Sequence, residues 1–224
     1  MIDIEEQKKR FKDHVAKFTD YGNIKILDFQ RPGSNDYRIR FLFQEDFSRL
    51  HISGDLGELT ASNYHNMNYE DFGPDFCKNP YYFEEKIDCH ERPIYVYDED
   101  KARKDIKEML GEDELILPSW YYFGTDDDAE AFEDFIDDVL EDFNDDKGIS
   151  PAGYHVLSEV DNNAWEYAAR IGRERTGIIE LYLLAFTLAQ ENLKRQEDDE
   201  LEEWMDRILK DHERQESEGH EDDR

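Results

Sequence analysis

Residues 24–61, IKILDFQRPGSNDYRIRFLFQEDFSRLHISGDLGELTA, decide the fold. Tyr37-Arg-Ile-Arg-Phe-Leu-Phe43 alternates, as a strand with one buried face must, because successive side chains point to opposite sides of a sheet. Ile24–Phe29, Leu50–Ser53 and Leu56–Ala61 are short runs with the same β character. Arg31-Pro-Gly-Ser-Asn-Asp36 is a turn cluster, and Ser53-Gly-Asp-Leu-Gly57 supplies the glycines of a tight hairpin. Together they predict an antiparallel meander.

Working outward, residues 3–18 carry Ile4, Phe11, Val15 and Phe18 on a loose apolar stripe. The stripe predicts a first helix packed on the sheet, stopped by Tyr21-Gly22-Asn23. Met67, Tyr69, Phe72, Phe76, Tyr81, Tyr82 and Phe83 are expected to cover the sheet's open face, with Pro74 and Pro80 preventing a long helix. Pro93–Tyr97 reads as extended. Asp98 then caps a helix over 99–110 with Ala102, Ile106, Met109 and Leu110 inward and Gly111 at its C-terminal cap.

The C-terminal half reads as helical. Asp126–Asp146 holds twelve acidic residues in twenty-one positions and no basic one. Ala129, Phe132, Phe135, Ile136, Val139, Leu140 and Phe143 follow one helix face, so the acids share the others. Thr125 or Asp126 can cap its start. Lys147–Pro151 breaks the chain. Residues 159–171 and 176–196 predict one long helix or two, with Gly172 and Gly177 as weak points. Asp198–Arg214 predicts a last amphipathic helix through Leu201, Trp204, Met205, Ile208 and Leu209. The fold class is therefore α+β: an N-terminal helix plus antiparallel meander over 1–112, a helical region over 113–214, and a disordered acidic tail over 215–224.

A net charge of −31 on 224 residues sets up strong self-repulsion. With 13% aromatic residues the chain is no disordered polyanion but a folded core under a negative skin. Such a skin repels phosphates, which argues against direct DNA binding and against anionic membranes. The first thirty residues lack a secretory apolar region, and Cys77 and Cys89 offer no disulfide framework, so a cytoplasmic location is expected.

The acidic helix is the candidate functional element. Carboxylates two to four positions apart give a linear charge density similar to that of a nucleic-acid backbone. Asp126, Asp127, Glu130, Glu133, Asp134, Asp137, Asp138, Glu141 and Asp142 are the candidate partner-binding residues, directed at the Lys and Arg of a nucleic-acid channel. The bland alternative is a solvated helix face. Arg170, Arg173 and Arg175 form a secondary basic cluster. They either hold a phosphate or guide nucleic acid or, as we prefer, pair with local acids and tie the acidic helix to the long one. Cys77, Cys89 and His90, with His51 or His65, are zinc-ligand types without ligand spacing, so no metal or cofactor is expected. No spacing singles out a catalytic pair, and no nucleotide-binding or hydrolase motif occurs.

Tyr37 through Leu50-His-Ile-Ser-Gly-Asp-Leu-Gly-Glu-Leu-Thr-Ala-Ser-Asn63, then Cys89-His-Glu-Arg-Pro-Ile-Tyr-Val-Tyr-Asp98, resembles uncharacterised proteins of phages and prophages of Gram-positive bacteria. The resemblance implies a phage origin, and with it the class of small acidic anti-defence inhibitors that includes anti-CRISPR proteins and DNA-imitating restriction inhibitors. The expected function is non-enzymatic inhibition, by nucleic-acid mimicry, of a basic host protein: a CRISPR effector nuclease first, a restriction enzyme second. The alternatives are a metal-dependent nuclease or other phage accessory enzyme, and an acidic structural or chaperone-like protein.

Overall fold

The computed structural model describes residues 2–111, 117–122 and 127–219, with side chains to residue 210. In chain order the elements are α1 (Ile4–Arg10), β1 (Val15–Asp20), β2 (Ile24–Gln30), β3 (Ile39–Gln44), β4 (Arg49–Gly54), β5 (Leu59–Ser62), α2 (Tyr69–Phe76), α3 (Pro80–Glu84), β6 (Ile87–His90), β7 (Tyr95–Tyr97), α4 (Glu99–Leu110), α5 (Asp128–Val139), α6 (Pro151–Val160), β8 (Arg173–Arg175) and α7 (Ile178–Gly219). The class is α+β. The chain forms two compact units, one of Ile2–Arg92 with the chain from Ile179 onward, the other Pro93–Ile178. This division differs from a split at residue 112. The reason is that α7 belongs with the sheet, whereas α4 shares a core with α5.

In the sheet unit, β1 to β6 lie side by side in sequence order, each antiparallel to the next. The alternation at Ile39–Phe43 sets the register: Ile39, Phe41 and Phe43 are buried while Arg40 is exposed. Leu27, Phe29, Leu50, Ile52, Leu59 and Ala61 join them on the core face. That face is covered by α7. Phe186 meets Phe72 at a ring-centroid distance of 4.8 Å and Phe41 at 5.2 Å, both edge to face. Phe72, Phe76 and Phe83 on α2 and α3 are buried beside it, but Tyr81 is exposed. These helices therefore extend the same core and do not cover the opposite face. Gly73 lets α2 approach α7: a Cβ there would lie 2.9 Å from the Gln190 side-chain oxygen.

The first helix is shorter than residues 3–18. It ends at Arg10, and Val15–Asp20 is an edge strand. Ala16 pairs with Phe29 and Phe18 with Leu27 across β2, so a sheet register overrides the loose helical stripe. Side chains of α7 satisfy this edge: the Ala16 amide donates to Asn192 Oδ1 at 2.8 Å, and Gln196 Nε2 donates to the Ala16 carbonyl at 3.1 Å.

In the other unit, Ala102 and Ile106 of α4 pack with Phe132, Phe135, Ile136 and Val139 of α5, Leu157 of α6 and Ile171. Asp98 caps α4 by accepting from the Lys101 amide at 2.7 Å, and Gly111 ends it with φ 70°, although Met109 is exposed. The helix expected over 159–171 is instead α6, started by Ser150 and Pro151, followed by short 3-10 turns and β8, which pairs with β7.

The long α7 is continuous through 42 residues, where a break near Asp198 was expected. No Gly or Pro interrupts 178–218. Its backbone remains helical to Gly219, so residues 215–219 of the expected disordered tail belong to it, and 220–224 lie outside the described residues. Beyond Gln196 it leaves the core: Leu201, Trp204, Met205, Ile208 and Leu209 are 41–59% exposed. Among the described residues no helix is long and apolar enough to cross a membrane.

This packing predicts unequal costs along one helix. Phe186→Ala should destabilise the protein by about 3–5 kcal/mol. Leu201→Ala and Trp204→Ala should stay within about 0.5 kcal/mol. Urea unfolding of the three variants measures this; equal losses would show that the distal stripe is covered.

Candidate functional site

The acidic helix is α5, and its placement follows from its apolar side. Ala131, Phe132, Phe135, Ile136 and Val139 are buried, with Phe135 edge-on to Tyr121 at 5.7 Å. The neighbouring α6 comes so close that a Cβ on Gly153 would lie 1.9 Å from the Val139 carbonyl oxygen. The capping residue is Asp127, which accepts from the Ala129 amide at 3.0 Å. Thr125 and Asp126, the caps expected from sequence, lie outside the described residues. The helix ends at Val139, so Glu141 and Asp142 stand in the following turn, where Asp142 takes φ 59°. Aspartate tolerates that left-handed conformation better than most residues. The turn is held by Ser150, whose hydroxyl donates to the Glu141 carbonyl at 2.9 Å.

The acids of α5 sort into three groups. On one flank α4 neutralises Glu133 and Asp137. Arg103 reaches Asp137 at 2.6 Å and Glu133 at 3.9 Å, and Lys107 also pairs with Glu133. The hydrogen bond to Asp137, more than any other contact, raises the pKa of Arg103. Asp138 stands on the opposite flank and accepts from the Tyr121 hydroxyl at 2.9 Å. Burial first, and this carboxylate second, push the Tyr121 pKa up.

Between the flanks, Glu130 and Asp134 run along the outer face, and Glu141 and Asp142 continue past its end. All four are exposed and make no ion pair among the described residues. Asp128, in the first turn, is exposed as well. Along α5 itself Glu130 and Asp134 stand about 6 Å apart in axial rise, against about 3.4 Å per phosphate on one strand of B-DNA. The rail expected from sequence is therefore present in part: Glu133 and Asp137 are tied into the fold.

The basic cluster is not one patch on the acidic helix. Arg170 donates to the carbonyl of Glu166, in the preceding 3-10 turn, at 2.7 Å. Arg173 and Arg175 are half-buried on β8, and the Arg173 guanidinium lies 3.3 Å from the centroid of the Tyr95 ring on β7. Arg103 and Lys107 of α4 are cations that meet α5. Sequence reasoning missed them, although an Arg and a Lys four residues apart on a capped helix in so acidic a chain were a usable signal.

The candidate zinc ligands are not brought together. Cys77 is half-buried and its thiol donates to the Leu183 carbonyl at 3.8 Å, while Cys89 is exposed on β6. His90 Nδ1 lies 2.8 Å from the Arg92 carbonyl oxygen, and His51 Nδ1 lies 3.2 Å from the Thr60 hydroxyl. Among the described residues no group of three His, Cys, Asp or Glu side chains is disposed to hold a metal ion.

The chain matches no protein-family model, no curated protein and no solved structure.

Two outcomes follow from this geometry. Arg103→Glu should lower stability by about 1–2 kcal/mol, because it replaces partly exposed pairs with like-charge contacts. Asp134→Lys, in the open row, should stay within about 0.5 kcal/mol. Thermal unfolding at low salt distinguishes them. The thiols should also separate. Burial pushes Cys77 up to about 11, so a disulfide reagent at mildly alkaline pH should label Cys89 promptly and Cys77 only on unfolding. Mass spectrometry of the labelled peptides reads the order.

Proposed function

We propose that this chain is a phage-encoded acidic inhibitor that acts in the cytoplasm of a bacterial host. It occupies the nucleic-acid site of a basic defence protein, with a CRISPR effector nuclease favoured over a restriction enzyme. The observation that carries this reading is the open carboxylate row of Glu130 and Asp134 on a packed helix, continued by Glu141 and Asp142 in the turn that follows it, in a chain of net charge −31. A rigid row has already lost its conformational freedom, so each carboxylate that meets a Lys or Arg costs little further ordering entropy. Glu133 and Asp137 already have cationic partners and serve to orient the row. In this reading the protein acts stoichiometrically, uses no cofactor and does not bind DNA itself. Binding weakens as salt rises, because exposed charges more than about 8 Å apart are screened at physiological ionic strength.

The test is order of addition in a gel-shift assay with a guide-loaded CRISPR effector. Added first, the protein should block target-DNA binding; added after the DNA, it should not. For such an effector the expected contact is the site that reads the short PAM duplex through arginines. The triple variant Glu130→Lys, Asp134→Lys, Glu141→Lys should keep its fold and lose at least about tenfold in affinity, since a single close charge contact can be worth about 1.4 kcal/mol or more. A ternary complex formed equally in either order would exclude mimicry. Metal-dependent cleavage of DNA or RNA by the purified chain would replace the inhibitor reading with a nuclease one.

A further inference from the structure

In a chain so short of cations, one groove is rimmed by them. It lies in the sheet unit and encloses about 300 Å³ between α1, the turn that follows it, β2 and α7. That volume is at the lower end of the range for small-molecule sites. Its floor is apolar and fixed. Phe11, His14 and Phe29 are all buried and in mutual ring contact, at centroid distances of 5.1, 5.2 and 5.5 Å, and Leu188 of α7 adds to them. Its rim carries Lys8, Lys9, Lys12 and Arg195. Glu5 is the one carboxylate among the lining residues, and it is bonded to Lys8 at 2.8 Å; Glu191 also acts on Lys8 from nearby. Lys9, Lys12 and Arg195 have no ion pair among the described residues.

A second observation concerns a residue that lines the same groove. His14 is only 3% exposed. Its Nε2 lies 3.2 Å from the Tyr37 carbonyl oxygen, which can only accept, so Nε2 carries the proton. Its Nδ1 is buried with no hydrogen-bond partner among the described residues. A buried ring nitrogen left unpaired is costly and calls for an explanation. The Asn192 side chain beside it is already committed: its Nδ2 donates to the His14 carbonyl oxygen at 3.5 Å, and its Oδ1 accepts from the Ala16 amide and from Gln196.

We propose that this groove binds a small organic oxyanion, a phosphate or carboxylate carried on a flat apolar body. The rim supplies charge, the ring floor supplies contact area, and His14, which lines the groove, supplies a titratable ring beside the bound oxyanion. Proton uptake follows from the same arrangement. Burial first, and Arg31 in addition, lower the proton affinity of His14, against the Tyr37 carbonyl and Asp36, which raise it. Lys8, Lys9, Lys12 and Arg195 on the rim also disfavour its charged form, and Glu5 favours it. An oxyanion bound beside the ring favours the protonated form through its charge. Folded-state proton affinity therefore rises on binding, and affinity should increase as pH falls. This inference is independent of the reading of α5.

The experiment is an NMR titration of the full chain with phenyl phosphate, with benzyl alcohol and inorganic phosphate as separate arms. Phenyl phosphate should give saturable shifts at Phe11, Phe29 and Leu188, at least tenfold tighter than either single-feature probe. Binding should tighten from mildly alkaline to mildly acidic pH. Lys12→Glu with Arg195→Glu, both on the exposed rim, should weaken binding at least tenfold while the circular dichroism and melting temperature stay unchanged. The proposal is overturned by any of four results. These are no saturable shift at millimolar phenyl phosphate, equal binding of benzyl alcohol or inorganic phosphate, unaltered affinity in the double variant, and a pH-independent affinity, which would remove His14 from the site.

Discussion

Self-repulsion constrains every part of this molecule. With 58 acidic residues against 27 Lys and Arg, most carboxylates cannot be paired, so the placement of each cation is a structural decision. The described ion pairs show where the cations are used. Lys25 bridges Glu45 and Glu70, which brings the β3–β4 connection to α2, and its bond to Glu70 holds that carboxyl below its usual range. Arg40 grips Asp28 across two strands with a pair of hydrogen bonds of 2.6 and 2.9 Å. Arg103 and Lys107 join α4 to α5. Each of these links elements that the apolar core already brings together. The core therefore does the folding, and the cations keep neighbouring acids from undoing it locally.

The sheet unit depends on one long-range return. β1 to β6 form a meander of nearest neighbours, but its apolar face is closed by a helix that begins after residue 177. Phe186 is the point of closure, because it touches rings from β3 and from α2 at once. Tyr182 adds a polar lock, its hydroxyl donating to the Leu56 carbonyl at 2.9 Å in a buried setting. The segment 93–178 is thus carried between two parts of one unit and has its own core. A chain with this order cannot close its sheet until most of it is made.

How much of this was legible in the sequence depends on the range of the deciding interaction. The alternation of Tyr37–Phe43, the hairpin at Ser53–Gly57 and the Asp98 cap are local, and each was readable. The start of α6 was local too, but Ser150-Pro151 was read as a break when it is an N-cap followed by a favoured first-turn proline. β1 was hidden because its pairing with β2 and its anchoring to Asn192 and Gln196 come from distant residues. The division into units was hidden for the same reason. At the candidate site the acids of α5 and most of its buried face were legible from period, although Ala129 is exposed and Ala131 is buried in its place. Which acids were open was not, since that depends on the facing of α4.

That last point bears on how a charged helix can serve recognition at all. A row of carboxylates with no counter-charge would repel itself and favour fraying at the very element that must stay rigid. A row fully paired would offer nothing to a partner. On α5 the two demands are met on different faces of one helix. Glu133 and Asp137 face cations of the same unit, Asp138 meets a buried hydroxyl, and Glu130, Asp134, Glu141 and Asp142 face outward. The pairing on one flank lowers the local repulsion that the outward row creates, so the helix can hold its geometry while displaying unpaired charge. The 3.6-residue period makes this possible: Glu130 and Asp134, four positions apart, point close to one direction, as do Glu133 and Asp137, and the two pairs are offset by about 60°. A change of helix phase by one residue turns the helix by about 100°, enough to carry Glu133 and Asp137 away from Arg103 and leave their charges unpaired.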